Sequence, residues 1–252
     1  MPFTDDQLER YARHLVLREI GGAGQAALRA SHVTLIGAGG IGSPALLYLV
    51  AAGVGTIRLI DDDAVSLANL QRQILFGTDD IGHPKADTAA RAARRLNPDV
   101  AVELRPTRIA ADNAPALFAG THLVLDGCDN FATRLAVSDA CVALGLPLIS
   151  AAVAMFQAQV GVWAGRPCYR CFVGDAFDAD DCDTCAEMGV LGATAGVAGS
   201  LAALEASRLI TGFGQPQAGR VHVFDALKPE LRTLRIAADP ACKGCGTPSR
   251  SP

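Results

Sequence analysis

The sequence predicts an α/β fold in which a mixed, mostly parallel sheet has helices on both faces. The apolar run Val33–Ile36 leads into Gly37, Gly39 and Gly42, which stand at G-x-G-x-x-G spacing ahead of a helix-length segment. Short apolar runs and helix-length segments then alternate up to residue 150, the order that builds a parallel sheet. Together these patterns are typical of a Rossmann-like fold.

The elements follow from local signals. Thr4 and Gln7 have the spacing of a capping box, which predicts a helix within residues 1–20, ahead of the sheet. Helices are then predicted over residues 84–97, 113–118, 131–144 and 196–210. Strands are predicted over residues 56–60, 100–104, 122–126, 147–150, 156–163, 221–225 and 231–236. Residues 156–163 alternate apolar and polar side chains, which predicts an antiparallel extension of the sheet.

The composition is that of a globular protein with one large core. Half of the 252 residues are hydrophobic, and the sequence contains neither an internal repeat nor a linker. We therefore expect a single domain over residues 1–252, with a mobile C-x-x-C loop at 164–190 and a C-x-x-C tail at 237–252. The formal net charge of −4 argues against general affinity for nucleic acid or anionic membranes.

The longest uncharged stretch does not predict a membrane span. Residues 33–57 lack charge, but they contain six glycines and Pro44, and they begin with the glycine loop. The N-terminus is acidic where a signal peptide would be basic and then apolar. We expect a cytoplasmic protein.

The glycine loop predicts a nucleotide site. Glycines let backbone N–H groups approach a polyphosphate at the start of the next helix, where a side chain would block it. Asp61 ends the second strand, nineteen residues after Gly42, where a carboxylate can accept both ribose hydroxyls. The alternative for Asp61 is a turn or cap residue. On this motif alone, NAD and other nucleotides remain equally open.

A polar loop and a lysine are predicted at the same edge of the sheet. The loop after Asp61 contains Asn69, Arg72 and Gln73, and it leaves the carboxyl end of a strand, where α/β sheets bind ligands. Lys85 falls in the first turn of a helix, where a cation opposes the helix dipole. A lysine in that position suggests a functional role.

Eight motifs occur along the chain in the order and at the spacing that are typical of one protein family. They are Arg10-Tyr-Ala-Arg13-His, the glycine loop, the acidic strand end, Pro-Lys85, Asp129-Asn130, Cys168-Tyr-Arg-Cys171, Cys185-x-x-x-Gly189-Val190 and Cys242-x-x-Cys245. Through them the sequence resembles the MoeB/ThiF/HesA family of ubiquitin-activating-like adenylyltransferases. The resemblance implies ATP-dependent adenylylation of the C-terminal glycine carboxylate of a ubiquitin-like sulfur carrier that ends in Gly-Gly, with release of pyrophosphate.

The resemblance also implies roles for individual residues. The nucleotide would be bound by Gly37, Gly39, Gly40, Gly42, Asp61, Asn69, Arg72, Gln73, Lys85, Asp129 and Asn130. Arg72 and Lys85 would bind the phosphates and Asp129 would hold Mg²⁺, although Asp129 could also cap the helix that begins at Phe131. Arg13 would reach the nucleotide of the neighbouring subunit of a homodimer. Cys185 matches a cysteine that bonds covalently to the carrier in some members.

The cysteines offer two ways to build a zinc site. By spacing alone, the pairs Cys168/Cys171 and Cys182/Cys185 could form a local ribbon. The resemblance instead implies structural zinc on Cys168, Cys171, Cys242 and Cys245, which leaves open whether Cys182 and Cys185 form a redox pair. The chain ends seven residues after Cys245, so we expect a separate sulfur donor rather than an appended rhodanese domain.

Two other functions compete with adenylylation. An NAD(P)-dependent oxidoreductase would use the glycine loop and Asp61, but none of the five histidines stands beside a candidate catalytic carboxylate. A non-catalytic subunit of an activating complex would not need Arg13, Arg72, Lys85 and Asp129 in one chain. Adenylylation is therefore the function that the sequence favours.

Overall fold

The computed structural model describes residues 2–174 and 189–246. Within them, eight strands form one sheet in the order β3-β2-β1-β4-β5-β6-β7-β8. The strands are β1 (His32–Ile36), β2 (Thr56–Ile60), β3 (Ala101–Arg105), β4 (Leu123–Asp126), β5 (Leu148–Ala154), β6 (Gln157–Trp163), β7 (Arg220–Asp225) and β8 (Glu230–Arg235). The helices are α1 (Asp5–Arg10), α2 (Ala12–Leu15), α3 (Gly21–Ala30), α4 (Gly42–Ala51), α5 (Lys85–Leu96), α6 (Ala114–Leu117), α7 (Phe131–Leu144), α8 (Tyr169–Val173) and α9 (Gly192–Thr211).

The sheet is mixed, as the sequence predicts. Strands β3, β2, β1, β4 and β5 run parallel to one another, and β6, β7 and β8 extend the sheet beyond β5 by antiparallel pairing. Strand β1 lies between β2 and β4, so the chain leaves β1 toward one side of the sheet and later returns on the other. The carboxyl end of β1 is thus the switch point at which open α/β sheets form a ligand crevice.

Two hydrophobic cores cover opposite faces of the sheet. Val33 and Leu35 of β1 pack with residues of α3, α4, α5 and α9, whereas Val124 of β4 packs with residues of α6 and α7. Successive side chains of a strand point to opposite faces, so a doubly covered sheet requires continuous apolar runs. The prediction of helices on both faces is confirmed.

The N-terminal region differs from its prediction. The Thr4–Gln7 capping box is present, but two short helices, α1 and α2, replace the one helix predicted in residues 1–20. Helix α3 was not predicted, because its three glycines weaken the helical signal. At Gly24, an added Cβ would lie 3.0 Å from Ile20 Cγ2 and 3.4 Å from Thr211 Cβ. Glycine there permits close helix packing.

Two further boundaries are corrected. Helix α9 begins at Gly192 instead of residue 196, and helix α8 lies inside the segment predicted as a loop over residues 164–190. Residues 175–188, which contain Cys182 and Cys185, lie outside the described residues. Neither α9 nor any other helix in the described part of the chain has the length and hydrophobicity to cross a membrane.

Candidate active site

A pocket of about 380 Å³ opens at the carboxyl ends of the central parallel strands. Its lining includes Gly37 after β1, Asp61 after β2 and Asp129 after β4. Arg72 and Lys85 reach it from the loop after β2 and from the start of α5. The structure thus brings five separated sequence motifs to one crevice, at the switch point of the sheet.

The glycine loop makes a tight turn between β1 and α4. Gly37 has a φ of 83°, and an added Cβ on Gly42 would lie 1.8 Å from the Gly37 carbonyl oxygen. Gly39 and Gly40 line the pocket, whereas Gly42 does not. Gly42 therefore serves the turn itself, and Gly39 and Gly40 keep the pocket floor free of side chains.

Asp61 fastens the glycine loop to the end of β2. Its Oδ2 accepts a hydrogen bond of 2.7 Å from the Ala38 N–H, and its Oδ1 accepts one of 2.9 Å from the Asp63 N–H. Burial raises the pKa of Asp61, against the opposing effects of these N–H groups and of Lys85. Each carboxylate oxygen can accept a second hydrogen bond, and Asp61 lines the pocket. Asp61 combines the predicted turn role with a position suitable for ribose.

Lys85 has a partner that the sequence did not reveal. The side chain is buried, and its Nζ lies 2.8 Å from Asp63 Oδ2, while the Lys85 N–H donates to the Asp63 carbonyl oxygen at 2.9 Å. The pair offsets the unfavourable place of a lysine at a helix N-terminus. Asp63 is more than half exposed, so an anionic ligand can compete with it for the ammonium group.

Arg72 is held at the pocket by its own turn. Its Nη2 donates to Asn69 Oδ1 at 3.0 Å, and its Nη1 donates to the Ala68 carbonyl oxygen at 3.2 Å. Asn69 does not itself line the pocket, but it contacts Arg72, which does. Gln73 is buried and lines the pocket, and its Oε1 has no hydrogen-bond partner among the described residues.

Asp129 and Asn130, which follow β4, have different roles. Asn130 caps α7, because its side chain accepts a hydrogen bond of 2.9 Å from the Thr133 N–H. The alternative that Asp129 caps this helix is therefore wrong. The Asp129 side chain is exposed and lines the pocket. A carboxylate in that position is available to a cation.

A buried arginine, which the sequence analysis missed, completes the wall of the pocket. Arg134 of α7 is 7% exposed, and its Nη2 donates to the Cys128 carbonyl oxygen and, at 2.9 Å, to that of Ala151. Burial works against its charge, but Asp126 and other neighbours raise the pKa of Arg134. The signal was present in the sequence: positions 134, 137, 138 and 141 form one buried stripe, and a charge in such a stripe is rarely left unpaired.

Four cysteines form a cluster away from the pocket. The Sγ atoms of Cys168, Cys171, Cys242 and Cys245 all lie within 4.8 Å of one another. The Cys168–Cys242 and Cys171–Cys245 separations are 3.6 and 3.5 Å, close to the about 3.8 Å between sulfurs of tetrahedral zinc. Burial raises the pKa of the Cys168 thiol, an effect that a bound cation would reverse. The predicted grouping of the tail with the first C-x-x-C pair is confirmed.

The pocket does not test the roles predicted for Arg13 and Cys185. Arg13 lies on α2, is exposed, and does not line the pocket of its own chain. Cys185 lies outside the described residues. Neither role is tested by the geometry of a single chain.

The residues present fit a nucleoside triphosphate with a divalent cation. Arg72, Lys85 and Arg134 offer positive charge, and the buried Gln73 Oε1 has no hydrogen-bond partner in residues 2–174 and 189–246, so a ligand could supply one. A Cβ on Gly40 would lie only 3.3 Å from side-chain carbons of Arg72 and Ala195, so a side chain at this position of the cradle would crowd both neighbours. Asp129 supplies an oxygen donor of the type that Mg²⁺ prefers.

Comparison with known proteins agrees with this chemistry. The model described as the ThiF family matches residues 11–244. A sulfur carrier protein adenylyltransferase from Thermus thermophilus is 41% identical over 253 residues, covering 98% of this chain and 93% of the relative. A molybdopterin-synthase adenylyltransferase from Escherichia coli is 39% identical over 248 residues, covering 96% and 98%. Both are nucleotidyltransferases by name, so the predicted enzyme class is confirmed over the oxidoreductase alternative.

A solved structure supports the fold. Escherichia coli MccB has a TM-score of 0.84 to this chain at 21% identity, covering 98% of this chain and 74% of that one. The predicted Rossmann-like class is confirmed. Since the family model spans most of the chain and both relatives align along nearly all of it, the chain belongs to the ThiF family.

Proposed function

We propose that the protein uses ATP to adenylylate the C-terminal glycine carboxylate of a ubiquitin-like sulfur carrier protein, with release of pyrophosphate. The observation that carries the proposal is the single crevice in which a glycine cradle, Arg72, Lys85 and Asp129 meet. One relative is named for a sulfur carrier protein and the other for molybdopterin synthase. These names support a sulfur carrier protein as the substrate.

The reaction needs alignment and charge neutralisation more than a base. A C-terminal carboxylate has a pKa of about 3.5, so it is already ionised at neutral pH. Its oxygen attacks the α-phosphorus, the bond from the α-phosphorus to the bridging oxygen of the β-phosphate breaks, and pyrophosphate leaves with that electron pair. Positioned cations and N–H groups lower the barrier because negative charge accumulates on the phosphates.

The residues of this chain divide that work. The N–H groups around Gly39 and Gly40 would receive the phosphates, and Asp61 would accept hydrogen bonds from the ribose hydroxyls. Arg72 and Lys85 would balance the phosphate charge, with Lys85 exchanging its partner Asp63 for the ligand. Asp129 would hold Mg²⁺, which supplies further charge neutralisation.

We propose the assembly, the cellular location and the sulfur source of the enzyme on the same basis. The enzyme would be a cytoplasmic homodimer, with Arg13 acting on the partner's nucleotide, and sulfur would come from a separate donor. Zinc on the four cysteines would be structural, because a site closed by four protein ligands leaves no position for a substrate. In a further step the Cys185 thiolate would attack the adenylated carbonyl carbon of the carrier, and AMP would leave with the electron pair of the broken carbon–oxygen bond, which gives a thioester.

Exchange of labelled pyrophosphate into ATP tests the proposal. We expect exchange with a carrier that ends in Gly-Gly and none without it or with a carrier that lacks the last glycine. Exchange that does not depend on the carrier would overturn the proposal. So would the absence of exchange with every carrier protein on which the named relatives act. A non-catalytic subunit would bind the carrier without exchange.

Two variants test the assigned charges. Asp129→Ala and Arg72→Ala should each lower the exchange rate about a hundredfold or more, since loss of a contact to the transition state costs that much. Their melting temperatures should stay near wild type, because both residues line the pocket rather than the core. Asp112→Ala and Arg94→Ala, exposed and outside the pocket, are the matched controls. Activity within a few-fold of wild type would refute the assigned roles.

A further inference from the structure

Two hydrogen-bonded side chains fix the short helix α2, which carries Arg13. Tyr11 lies between α1 and α2 and is 4% exposed, and its hydroxyl oxygen accepts a hydrogen bond of 2.8 Å from Asn97 Nδ2. On the other side of Arg13, the Nδ1 atom of His14 lies 2.8 Å from Oε1 of the buried Gln25. Both neighbours of Arg13 are therefore tied to the body of the protein.

These two ties end at one place, the C-terminal end of α4. Asn97 Nδ2 also donates to the Val50 carbonyl oxygen at 2.9 Å, and Gln25 Nε2 donates to that of Ala52 at 2.8 Å. Because the nitrogen of Gln25 is used in this way, its oxygen accepts from His14 Nδ1. The last carbonyl groups of a helix have no partner within it, so each amide side chain satisfies the end of α4 and holds α2 as well.

A glycine makes room for the Tyr11 ring at this end of α4. Gly53 has a φ of 79°, and an added Cβ would lie 2.4 Å from the Tyr11 hydroxyl oxygen. A side chain there would displace the ring from its contact with Asn97. The backbone of the chain is thus shaped to receive Tyr11.

Arg13 itself has no such tie. Its side chain is exposed, and within residues 2–174 and 189–246 it forms neither a hydrogen bond nor an ion pair. Helix α4 begins at the glycine loop and is 10 residues long, or about 15 Å, so α2 is anchored one helix length away from the pocket of its own chain. A free cation on a fixed helix, remote from its own pocket, is suited to an anionic group on another molecule.

We infer that Tyr11 and His14 are positioning residues that hold Arg13 ready for the nucleotide of a second subunit. The inference rests on the proposed function, which assigns Arg13 to that nucleotide. With the α2 backbone already fixed, only the Arg13 side chain has to be ordered when it meets the phosphates, which lowers the entropic cost of the contact. Loss of either tie lets α2 move and misplaces Arg13, although no residue that touches the nucleotide has changed.

The test places the same two substitutions either in separate chains of a dimer or in one chain. Hybrid dimers are purified through two different tags, and carrier-dependent pyrophosphate exchange is measured. In the first hybrid, one chain carries Tyr11→Phe and the other Asp129→Ala. The pocket with intact Asp129 then receives Arg13 from a chain with intact Tyr11, so one of two sites is complete and we expect about half of wild-type exchange.

In the second hybrid, one chain carries both substitutions and the other is wild type. The intact pocket now receives Arg13 from the chain that lacks the Tyr11 hydroxyl, and we expect exchange about fivefold or more below the first hybrid, since misplaced contacts lower reaction rates steeply. If Tyr11 acted on its own pocket, the ranking of the two hybrids would be reversed. A reversed ranking, or equal exchange in both hybrids, overturns the inference.

Thr121→Val replaces Tyr11→Phe in the control hybrids. Its hydroxyl forms a buried hydrogen bond of 2.6 Å with Thr34, and it lies ahead of β4, at the edge of the sheet opposite the pocket. Both control hybrids should show about half of wild-type exchange, since one pocket in each is complete. His14→Ala should repeat the ranking found for Tyr11→Phe, and His14→Asn, whose amide nitrogen can donate in place of Nδ1, should restore the rate.

The hybrids are also titrated with ATP and Mg²⁺ by calorimetry, which requires no carrier. The Kd of the intact pocket should be about fivefold higher in the second hybrid than in the first, because a charge-assisted contact to phosphate is weakened. Wild type that binds ATP without exchange overturns the proposed function, and the two Kd values then decide this inference. Wild type that shows exchange as a monomer overturns this inference alone, and wild type that binds no ATP overturns both.

Discussion

Gly39 and Gly42 stand three residues apart in one turn, yet their α-carbons face different surroundings. A Cβ on Gly42 would lie 1.8 Å from the Gly37 carbonyl oxygen, whereas one on Gly39 would meet Gln73 Nε2 at 3.6 Å, an ordinary contact. Of the two, only Gly39 lines the pocket. The G-x-G-x-x-G spacing thus joins a folding requirement to a binding requirement.

This difference predicts that two alanine variants will separate the roles. Gly42→Ala should lower the melting temperature by about 10 °C or abolish folding, because backbone must move to relieve the overlap. Gly39→Ala should melt within about 2 °C of wild type and bind ATP about tenfold more weakly, since its methyl group enters the pocket. Gly196→Ala on α9, with no atom within 4 Å of the added Cβ, is the control. Equal melting temperatures for the first two variants would contradict the assignment.

Single residues were predictable where a local pattern specifies them. The glycines, Asp61, Arg72, Lys85 and Asp129 carry motif spacing, and all except Gly42 line the pocket. The partners Asp63 and Arg134 were missed because their contacts cross between elements, and no spacing within one element encodes such a pair. Asn69 was predicted as a contact of the nucleotide; its bond to Arg72, which lines the pocket, was not predicted.

At the scale of elements, the predicted boundaries of α5 and β2 lie within one or two residues of the observed boundaries, because both segments have strong periodicity. Pro84 and Asn97 flank α5 as predicted, because proline pre-sets the first turn and Asn97-Pro98 cannot continue a helix. The glycine-rich helices were predicted less well, since α3 was missed and the start of α9 was placed too late. Helix α9 begins at Gly192, where a Cβ would lie 2.2 Å from the Gln71 carbonyl oxygen, so tertiary packing rather than propensity selects the residue.

The C-terminal tail has little secondary structure to hold it, so metal is expected to fix it to α8. Cys242→Ser should lose nearly all zinc and lower the melting temperature by about 5 °C or more, because a closed site contributes directly to folding. Cys185→Ser should keep one zinc per chain and melt like wild type. Zinc content by mass spectrometry, alongside thermal unfolding, gives the result. Loss of zinc from Cys185→Ser but not from Cys242→Ser would favour the local ribbon of residues 168–185.

For the whole molecule, the alternating order of strands and helices was enough to predict a mostly parallel sheet with its ligand edge at the carboxyl ends of the strands, whereas the strand order came from the structure. The antiparallel pairing of β6 with β5 also followed from the alternating pattern of residues 156–163. Assembly cannot be deduced in the same way. Arg13 is exposed on α2 and does not line the pocket of its own chain, so the predicted contact with a nucleotide would have to be made in a second subunit.

Mixed dimers test that requirement. Arg13→Ala and Asp129→Ala should each be inactive alone, since every site of either homodimer lacks one residue. In a hybrid dimer, the pocket with intact Asp129 faces the subunit with intact Arg13, so one of its two sites is complete. With random exchange, half of the dimers are hybrids, and we expect about a quarter of wild-type pyrophosphate exchange.

The control for this experiment is a mixture of Arg72→Ala and Asp129→Ala. Both residues line the pocket of their own chain, so each pocket of that hybrid lacks one of them and activity should stay absent. Subunit exchange is verified beforehand by native mass spectrometry of differently tagged chains. If the Arg13→Ala mixture forms hybrids and stays as inactive as the control, Arg13 does not act across the dimer. Recovery in the first mixture alone would mean that the two subunits share each active site, which no single chain can display.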